Sequence, residues 1–410
     1  MNNIILKKKH VFFLTKTYKT PLWVYNAEII RQQILKLKKF QIVRFAQKSC
    51  SNIHILKIIR KCGAKIDAVS IGEIERALIS GFKTYSNDIV FTSDIFEKKS
   101  LKKVIKYKIP VNLGSLHMIK QLGEKSPKHP VWIRINPKFG HGHHIKTNTG
   151  GENSKHGIWN SIKALKLLKK YNLNLIGLHM HIGSGVDYLH LKKVSQAMIK
   201  EAINLNQKIN FISAGGGLTI PYHEKEQEVN LNNYYKIWNK AKKKISNFLQ
   251  CPITLEIEPG RFITAQSGIL ISKICSIKKN QKKYFVILDS GFNDLLRPVL
   301  YGSYHKITVI PGPKHIFHKK YNIDAIISGP LCESGDLFTV TKTGSLITRK
   351  FQNIACGDYL IIHDTGAYGA SMSSNYNSRP LIPEILYDHK KFKLIRRRQT
   401  IQEMLSLENN

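Results

Sequence analysis

Acidic residues are scarce in this sequence, which has 27 Asp and Glu against 65 Lys and Arg and a formal net charge of +38. Such a charge suits nucleic-acid binding, because Lys and Arg neutralise phosphates. The lysines are, however, spread along helical patterns such as KALKLLKK at 163–170 and KAKKKI at 240–245, and no RNA-recognition or zinc-finger signature is present. We therefore expect no specific nucleic-acid partner and only weak, non-specific attraction to polyanions.

Long apolar runs and paired cysteine motifs are missing as well. No apolar stretch approaches the roughly 20 residues that cross a bilayer. In the N-terminal segment MNNIILKKKHVFF a basic run interrupts the apolar residues, unlike a secretory signal. The cysteines lack CxxC spacing, which argues against a zinc site and for reduced thiols; they are Cys50, Cys62, Cys251, Cys275, Cys332 and Cys356. We expect a cytoplasmic protein with no membrane segment and no metal.

From residue 40 to about 263, short apolar segments alternate with stretches of helical periodicity, as at Ile74, Ala77 and Leu78. Eight parallel strands separated by helices form either a closed (β/α)₈ barrel or a doubly wound sheet. No GxGxxG follows the first strand, which disfavours a dinucleotide-binding sheet. We predict a TIM-type barrel over 26–263. Its predicted strands are 42–47, 65–69, 88–92, 110–114, 131–135, 175–182, 211–215 and 254–258.

Beyond residue 264 the pattern changes to short strand-like runs with turn signals and little helix, which predicts a C-terminal β-rich domain over 264–410. The predicted strands are 284–288, 305–310, 323–327, 337–341 and 358–363. The N-terminal segment 1–25, which contains VFFLT, is predicted to be a strand that pairs into this domain. A last helix is predicted to begin at Thr400, with Glu403 completing a capping box.

Lys48 closes the first predicted barrel strand, and alternation places it on the same face as Arg44 and Ala46. A lysine at the tip of a buried strand either extends to solvent or reacts with a carbonyl compound. Burial favours the neutral form of an amine, which is the nucleophile. By itself the lysine leaves both interpretations open.

Two glycine-containing loops follow the seventh and eighth predicted strands, at Gly215–Gly217 and at Glu258-Pro259-Gly260-Arg261. In barrels of this type the active site lies at the carboxyl ends of the strands, and phosphate often binds after strands 7 and 8. Glycines let backbone N–H groups approach an anion closely. The pair of loops predicts a phosphate site there.

The sixth predicted strand ends in HMHIGSG, with His179 and His181 on one face. A metal site, an imidazole stacked on a flat cofactor and a buried core histidine are all open, and we favour the last for His179. Ser184 is a candidate for a phosphate hydrogen bond. Glu256 and Glu258 share a face of the eighth strand, where a carboxylate needs a partner such as a protonated pyridine nitrogen or an internal cation.

Six motifs together resemble the bacterial diaminopimelate decarboxylase family: RFAQKSC, HMHIGSG, GGG, EPGR, GPLCESGD at 329–336 and DTGAYGASMSSNYNSRP at 364–380. These are pyridoxal-phosphate enzymes with an alanine-racemase-like barrel and a β domain, and the resemblance covers nearly the whole chain. It implies decarboxylation of meso-2,6-diaminopimelate to L-lysine and CO₂, the last step of bacterial lysine synthesis. The alternative is an ornithine- or arginine-type decarboxylase of the same fold.

The resemblance also implies roles for individual residues. Lys48 bonds covalently to pyridoxal 5'-phosphate, His181 stacks on its ring, and Glu258 pairs with the ring nitrogen. The phosphate is then held by Ser184, Gly216, Gly217, the backbone of Glu258, Pro259, Gly260 and Arg261, and Tyr368.

Substrate recognition follows the same resemblance. Arg261, Arg297 and Tyr301 suit the distal carboxylate and Glu333 the distal ammonium, with Tyr368 nearby, whereas an ion pair at a surface or interface is the alternative for Arg297. Cys332 is the candidate proton donor, or else a small buried hydrophobic residue.

In the family the Cys-Glu pair reaches into the partner chain, which implies a homodimer with shared active sites. The segment 138–157 is rich in Gly, Asn and His and is predicted to be a loop that covers the site. A metal role for its His141, His143 and His144 is disfavoured, because no carboxylate and no helical spacing accompany them.

Overall fold

A computed structural model describes residues 6–140, 149–181, 183–185, 187–315 and 322–409. The chain divides into two compact units. The barrel unit is Arg31–Ile220 with Glu228–Ile263, and the β-rich unit is Met1–Ile30, Pro221–Gln227 and Thr264–Asn410. Within the described ranges, no helix is both long and apolar enough to span a bilayer.

The strands are β1 (Leu22–Asn26), β2 (Ile42–Ala46), β3 (Lys65–Ala68), β4 (Ile89–Ser93), β5 (Val111–Leu113), β6 (Pro130–Arg134), β7 (Asn174–His179), β8 (Phe211–Ser213), β9 (Thr254–Ile257), β10 (Gly268–Asn280), β11 (Lys283–Leu288), β12 (Ile307–Ile310), β13 (Asn322–Ser328), β14 (Arg349–Gln352), β15 (Tyr359–Ile362), β16 (Glu384–Asp388) and β17 (Lys391–Arg396). The helices are α1 (Lys8–Tyr18), α2 (Ala27–Leu35), α3 (Ile53–Lys61), α4 (Ile71–Ile79), α5 (Lys98–Tyr107), α6 (Leu116–Gly123), α7 (Ser161–Lys170), α8 (Tyr188–Leu205), α9 (Leu231–Leu249), α10 (Arg261–Thr264), α11 (Arg297–Tyr301) and α12 (Ile401–Leu405).

The barrel unit is a closed cylinder of eight parallel strands, β2 to β9, in which β9 pairs back onto β2. Each of the eight strands falls on a segment predicted from the sequence, so the predicted TIM-type barrel is confirmed. Several barrel helices begin at a side chain that accepts a backbone N–H, as Ser70 does for α4 and Asn160 for α7. These caps satisfy donors that the first helical turn leaves unpaired. The predicted apolar stripe of α4 is buried at Ile74 and Ala77.

The β-rich unit is a mixed sheet in the order β14-β13-β11-β10-β1-β16-β17, with β15 pairing to β10 and β12. Strand β1 runs antiparallel to β10 and parallel to β16. The final helix has the predicted capping box, in which Thr400 and Glu403 bond reciprocally.

Two predictions for the β-rich unit are wrong. The segment that contains VFFLT forms helix α1, because Val11 and Leu14 are spaced for one helical face and pack in the core with Leu22. The predicted strand 337–341 forms only isolated bridges, from Leu337 to Ser328 and from Val340 to Leu346.

Candidate active site

Lys48 lies in a single turn of 3₁₀ helix, Gln47–Ser49, directly after β2. The strand therefore ends at Ala46, one residue before the end of the predicted strand 42–47. The Lys48 side chain is exposed, so the burial considered from the sequence is wrong. Its ammonium nevertheless acts electrostatically on Asp67 of β3 and on His181 after β7. The amine thus stands at the carboxyl end of the barrel, among titratable groups.

Two carboxyl groups beside Lys48 hold protons more tightly than usual. Burial raises the pKa of Asp67 to about 6 and that of Glu73 to about 7, although the positive charge of Lys48 lowers both. A hydrogen bond with Thr92 also lowers the Asp67 value. The Glu73 carboxylate accepts the Val69 N–H at 2.9 Å. Both groups can therefore exchange protons close to neutral pH.

Glu258 follows β9, and its pKa is lowered where those of Asp67 and Glu73 are raised. Its Oε2 lies 2.8 Å from His179 Nε2, and its Oε1 accepts the Ser213 hydroxyl at 2.8 Å. Burial alone would raise the pKa of the Glu258 carboxyl, but His179 and Ser213 outweigh it and bring the pKa to about 2. Glu258 is therefore an ionised carboxylate in the barrel interior at physiological pH.

The two histidines of the HMHIGSG motif differ in their surroundings. His179 is buried, as favoured from the sequence, and its partner is the Glu258 carboxylate. His181 is half-buried. Burial and the charges of Arg134 and Lys48 lower the pKa of His181 well below its ordinary value. His181 thus presents a neutral imidazole ring at the mouth of the barrel.

Glycines bring the loops after β7 and β8 into backbone contact. Gly215 and Gly217 have φ angles of 62° and 108°, which side-chain-bearing residues rarely adopt. A Cβ at Gly217 would lie 2.7 Å from the Gly183 carbonyl oxygen. The Gly185 N–H donates to the Gly217 carbonyl at 3.0 Å. The loops Gly183–Gly185, which includes Ser184, and Gly215–Gly217 together are called the glycine cradle here. They pack so closely that a larger residue at Gly217 would collide with the backbone of Gly183.

The loop after β9 packs against the turn that carries Lys48. The Ala46 N–H donates to the Pro259 carbonyl at 3.2 Å. A Cβ at Gly260 would lie 3.1 Å from Ser49 Cβ, so glycine permits this close approach. Arg261 then begins α10. The structure therefore gathers the predicted barrel residues at one end of the cylinder.

The predicted loop 138–157 is anchored at both described ends. Asn136 donates to the His156 carbonyl at 3.0 Å and accepts the Gly151 N–H at 3.0 Å. The Thr149 hydroxyl donates to the His181 carbonyl at 3.0 Å. His141, His143 and His144 lie outside the described residues, and a covering role for the loop stays a prediction.

Arg297 is buried in the β-rich unit, so a surface ion pair is the wrong alternative for it. Its Nη1 donates to His305 Nε2 at 2.9 Å, and its guanidinium lies 4.8 Å from the ring centroid of Tyr222. His305 in turn donates from Nδ1 to the His363 carbonyl at 2.8 Å. Tyr301 ends the same short helix, α11.

Cys332 and Glu333 are exposed in the β-rich unit, so the alternative of a buried Cys332 is wrong. The Cys332 N–H donates to Asn377 Oδ1 at 3.2 Å, and the Tyr376 hydroxyl donates to Glu333 Oε2 at 3.5 Å. Tyr368, in the same unit, has a φ of 57°. The roles of these residues toward substrate remain predictions.

Sequence reasoning missed the partners of the predicted residues. Ser213 lies two residues before the glycine loop, and His179 is two residues before His181, so the sequence already placed both close to predicted site residues. Tyr222 is distant from Arg297 in the sequence, and His305 belongs to none of the motifs. Only the fold places both side chains against Arg297.

The barrel residues fit pyridoxal phosphate, the coenzyme implied by the resemblance. The exposed amine of Lys48 suits an aldehyde, and the cradle closed to any Cβ at Gly217 suits a phosphate. The ionised Glu258 carboxylate suits a protonated ring nitrogen.

Comparisons with known proteins agree with this geometry. Residues 26–265 match the family model of the pyridoxal-dependent decarboxylases, pyridoxal binding domain. The chain is 62% identical to a diaminopimelate decarboxylase of Buchnera aphidicola subsp. Acyrthosiphon pisum, over 96% of this chain and 95% of the relative.

Two solved structures are similar along nearly the whole chain. A crystal structure of diaminopimelate decarboxylase has a TM-score of 0.95 and 52% identity, and covers 98% of this chain and 97% of its own. The Helicobacter pylori diaminopimelate decarboxylase in complex with L-lysine has a TM-score of 0.85 and 33% identity, with 97% and 98% covered. The chain therefore belongs to the diaminopimelate decarboxylase family of pyridoxal-dependent decarboxylases.

Proposed function

We propose that this protein removes CO₂ from meso-2,6-diaminopimelate to give L-lysine, the last step of bacterial lysine synthesis. The observation that carries the proposal is the ionised Glu258 carboxylate next to the glycine cradle. The chain that contains them is 62% identical to a diaminopimelate decarboxylase. The related Helicobacter pylori enzyme forms a complex with L-lysine, the product named here.

Pyridoxal phosphate, when bound, supplies an electron sink for the electron pair that is freed as CO₂ leaves. Lys48 holds the coenzyme through its amine. Ser184, Gly216, Gly217 and the loop from Glu258 to Arg261 would hold the phosphate with backbone and hydroxyl donors, and Tyr368 would add a hydroxyl.

Two side chains set the charge around the ring. Glu258 would accept a hydrogen bond from the ring nitrogen and favour the protonated form of that nitrogen, because its own pKa of about 2 leaves it ionised. His181 would stack on the ring as a neutral imidazole, since its pKa lies well below the ordinary value. A neutral ring can stack without adding a second positive charge to the site.

The substrate is recognised by charge. Its distal end carries a carboxylate and an ammonium, and the forked donors of Arg261 and Arg297, with the Tyr301 hydroxyl, suit the carboxylate. Glu333 suits the ammonium. Ornithine lacks a distal carboxylate and would leave the arginines without an anion, so an ornithine- or arginine-type decarboxylase is not favoured.

Cys332 would donate the proton that replaces CO₂, because the S–H of an exposed thiol is accessible as a proton donor. We propose that the working unit is a homodimer with shared active sites and that it works in the cytoplasm. We assign no specific nucleic-acid partner, since the lysines are dispersed over α5, α7 and α9.

The test is CO₂ release from carboxyl-labelled meso-diaminopimelate by the purified protein with added pyridoxal phosphate. We expect release with meso-diaminopimelate and almost none with ornithine, arginine or L-lysine. Lys48→Ala should abolish CO₂ release. It should also abolish the permanent attachment of the coenzyme to the protein that borohydride reduction produces. Turnover of ornithine in place of meso-diaminopimelate would overturn the substrate assignment.

A further inference from the structure

Glu258 is not alone in the barrel, and its two oxygens have different partners. His179 ends β7, Ser213 ends β8, and the strand register places these two residues directly opposite each other. Their side chains therefore lie on one face. His179 Nε2 approaches Oε2 and Ser213 Oγ approaches Oε1, each at 2.8 Å. The carboxylate is therefore hydrogen-bonded by side chains of two neighbouring strands.

The hydrogen bonds have fixed directions. The imidazole nitrogen that faces the carboxylate must carry a proton, so His179 donates from Nε2. The Ser213 oxygen accepts the Gly215 N–H at 3.1 Å, which turns its hydroxyl proton toward Glu258. The Glu258 N–H itself donates to the Gly215 carbonyl at 2.9 Å. Ser213 and the backbone of Glu258 are therefore both bonded to Gly215 of the glycine cradle.

His179 makes this contact through one nitrogen only. Its Nδ1 is buried and has no hydrogen-bond partner among the described residues. A histidine kept only for packing would be replaceable by an apolar residue that leaves no unpaired nitrogen. The contact with Glu258 is thus what the buried ring provides.

We propose that His179 and Ser213 are positioning residues that hold Glu258 as an oriented carboxylate aimed at the ring nitrogen of pyridoxal phosphate. The proposal rests on the proposed function, because it takes the coenzyme as the ligand. It adds that the hydrogen bonds from His179 and Ser213, and not Glu258 alone, determine how strongly the protein prefers a ligand with that ring nitrogen. It also links the nitrogen end of the site to the phosphate cradle through Ser213 and Gly215.

The test compares two ligands, pyridoxal phosphate and its 1-deaza analogue, in which carbon replaces the ring nitrogen. Both are titrated into apoprotein by fluorescence, and the ratio of their dissociation constants reports the nitrogen contact alone. We expect His179→Leu and Ser213→Ala each to lower the preference for pyridoxal phosphate about ten-fold, as for loss of a hydrogen bond to a charged group. His179→Gln places an amide donor near Nε2 and should restore much of the preference.

A matched control is His129, which is equally buried in the same unit but precedes β6 at the opposite end of the barrel. It bonds to Ser126 and to the Ile109 carbonyl. His129→Leu should lower stability and leave the preference between the two ligands unchanged. A general loss of packing would lower both affinities together and would not move the ratio.

The pH profile of the ratio gives a second readout. Without the His179 donor, burial of Glu258 is no longer offset, so its pKa rises and the preference should fall as pH is lowered from about 8 to about 6. In the unaltered protein the preference should stay flat. The other charged and titratable groups that act on Glu258 or feel its charge are Arg44, Asp67, Arg134, His181 and Tyr234.

The results distinguish a wrong proposed function from a wrong positioning role for His179 and Ser213. If the unaltered protein fails to bind pyridoxal phosphate, the proposed function is wrong. If it binds the coenzyme and prefers it to the deaza analogue, but His179→Leu and Ser213→Ala keep the full preference, the positioning role is overturned. Should His179→Leu not fold, Ser213→Ala decides, since it removes one hydroxyl only.

Discussion

Arg297 Nη1 donates to His305 Nε2 at 2.9 Å, and both side chains are buried in the β-rich unit. An arginine can only donate, so Nε2 of His305 is an acceptor, and Nδ1 carries the proton that is donated to the His363 carbonyl at 2.8 Å. The face of Tyr222, with its centroid 4.8 Å from the guanidinium carbon, supports the arginine from another side. The guanidinium is thereby fixed in one orientation.

This arrangement makes a prediction about substrate affinity. His305→Phe keeps an aromatic ring against Tyr222 but removes the acceptor, so Arg297 should lose its fixed orientation. We expect the KM for meso-diaminopimelate to rise about ten-fold with little change in kcat, as when binding common to ground and transition states is lost. His305→Gln offers an acceptor again and should recover most of the affinity. An unchanged KM in His305→Phe would argue against a role for Arg297 at the substrate carboxylate.

The proton-donor role of Cys332 is tested by Cys332→Ala. General acid catalysis contributes about 10²–10⁴-fold, so we expect a loss of at least about 100-fold in kcat while pyridoxal phosphate stays bound. The measurement is the rate of lysine formation together with the absorbance of the bound coenzyme. A rate equal to that of the unaltered protein would assign Cys332 to surface structure.

Asn377→Ala is the companion variant for Cys332. Asn377 accepts the Cys332 N–H and has a φ of 54°, a conformation that Asn tolerates better than Ala. We expect a smaller loss of kcat than in Cys332→Ala, because the thiol remains and only its support is weakened. A larger loss would indicate that Asn377 contacts the reacting groups itself.

Arg44 and Glu256 form a second fixed pair, inside the barrel. Two hydrogen bonds of 2.9 Å join the guanidinium to the carboxylate, and each side chain is at most 2% exposed. Removing one partner leaves a buried charge uncompensated, which costs about 3–5 kcal/mol. Glu256→Leu should lower the free energy of unfolding by about that amount, as measured with guanidinium chloride.

Two variants control for the Arg44–Glu256 prediction. The double variant Arg44→Met with Glu256→Leu should regain much of the loss, because neither charge is then buried. The exposed pair Lys120–Glu124, 4.0 Å apart, should matter little, so Glu124→Gln should change stability by less than about 1 kcal/mol. Equal losses for Glu256→Leu and Glu124→Gln would contradict the argument.

The sequence predicted the barrel because period-two and helical patterns alternate without long interruptions, and all eight strands lie on predicted segments. It failed where a pattern is ambiguous over a short stretch: VFFLT in α1 is apolar enough for a strand, and only packing around Val11 and Leu14 shows a helix. Strand β10 was missed because its second half, from Ser276 to Asn280, is polar and largely exposed.

The candidate site was predictable to the level of motifs and no further. Lys48 and Glu258 were found because a charged side chain is unusual in an apolar strand, and the glycine loops because two of them follow adjacent barrel strands. That Glu256 needs a partner follows from the cost of burying a charge, but Arg44 is 212 residues away and nothing in the sequence selects it. Hydrogen-bond partners of this kind depend on the register of the closed barrel.

Asp67 leads to a prediction about pH. Burial raises its folded pKa to about 6, against an ordinary value of 3.8 in the unfolded chain. The folded protein therefore holds this proton more tightly, and the stabilisation is complete below the unfolded pKa and lost as pH rises through about 6. We expect the free energy of unfolding of the apoprotein, minus that of Asp67→Asn, to decrease between about pH 4 and 6 by at most about 3 kcal/mol.

Thr92→Val refines the pH experiment. The hydrogen bond from Thr92 lowers the Asp67 pKa, so its loss should raise that pKa and move the falling part of the curve to higher pH. Urea denaturation at a series of pH values measures all three proteins under the same conditions. A difference curve that rises with pH would mean that the folded carboxyl is more acidic than the unfolded one, and that the charges of Lys48 and His179 outweigh its burial.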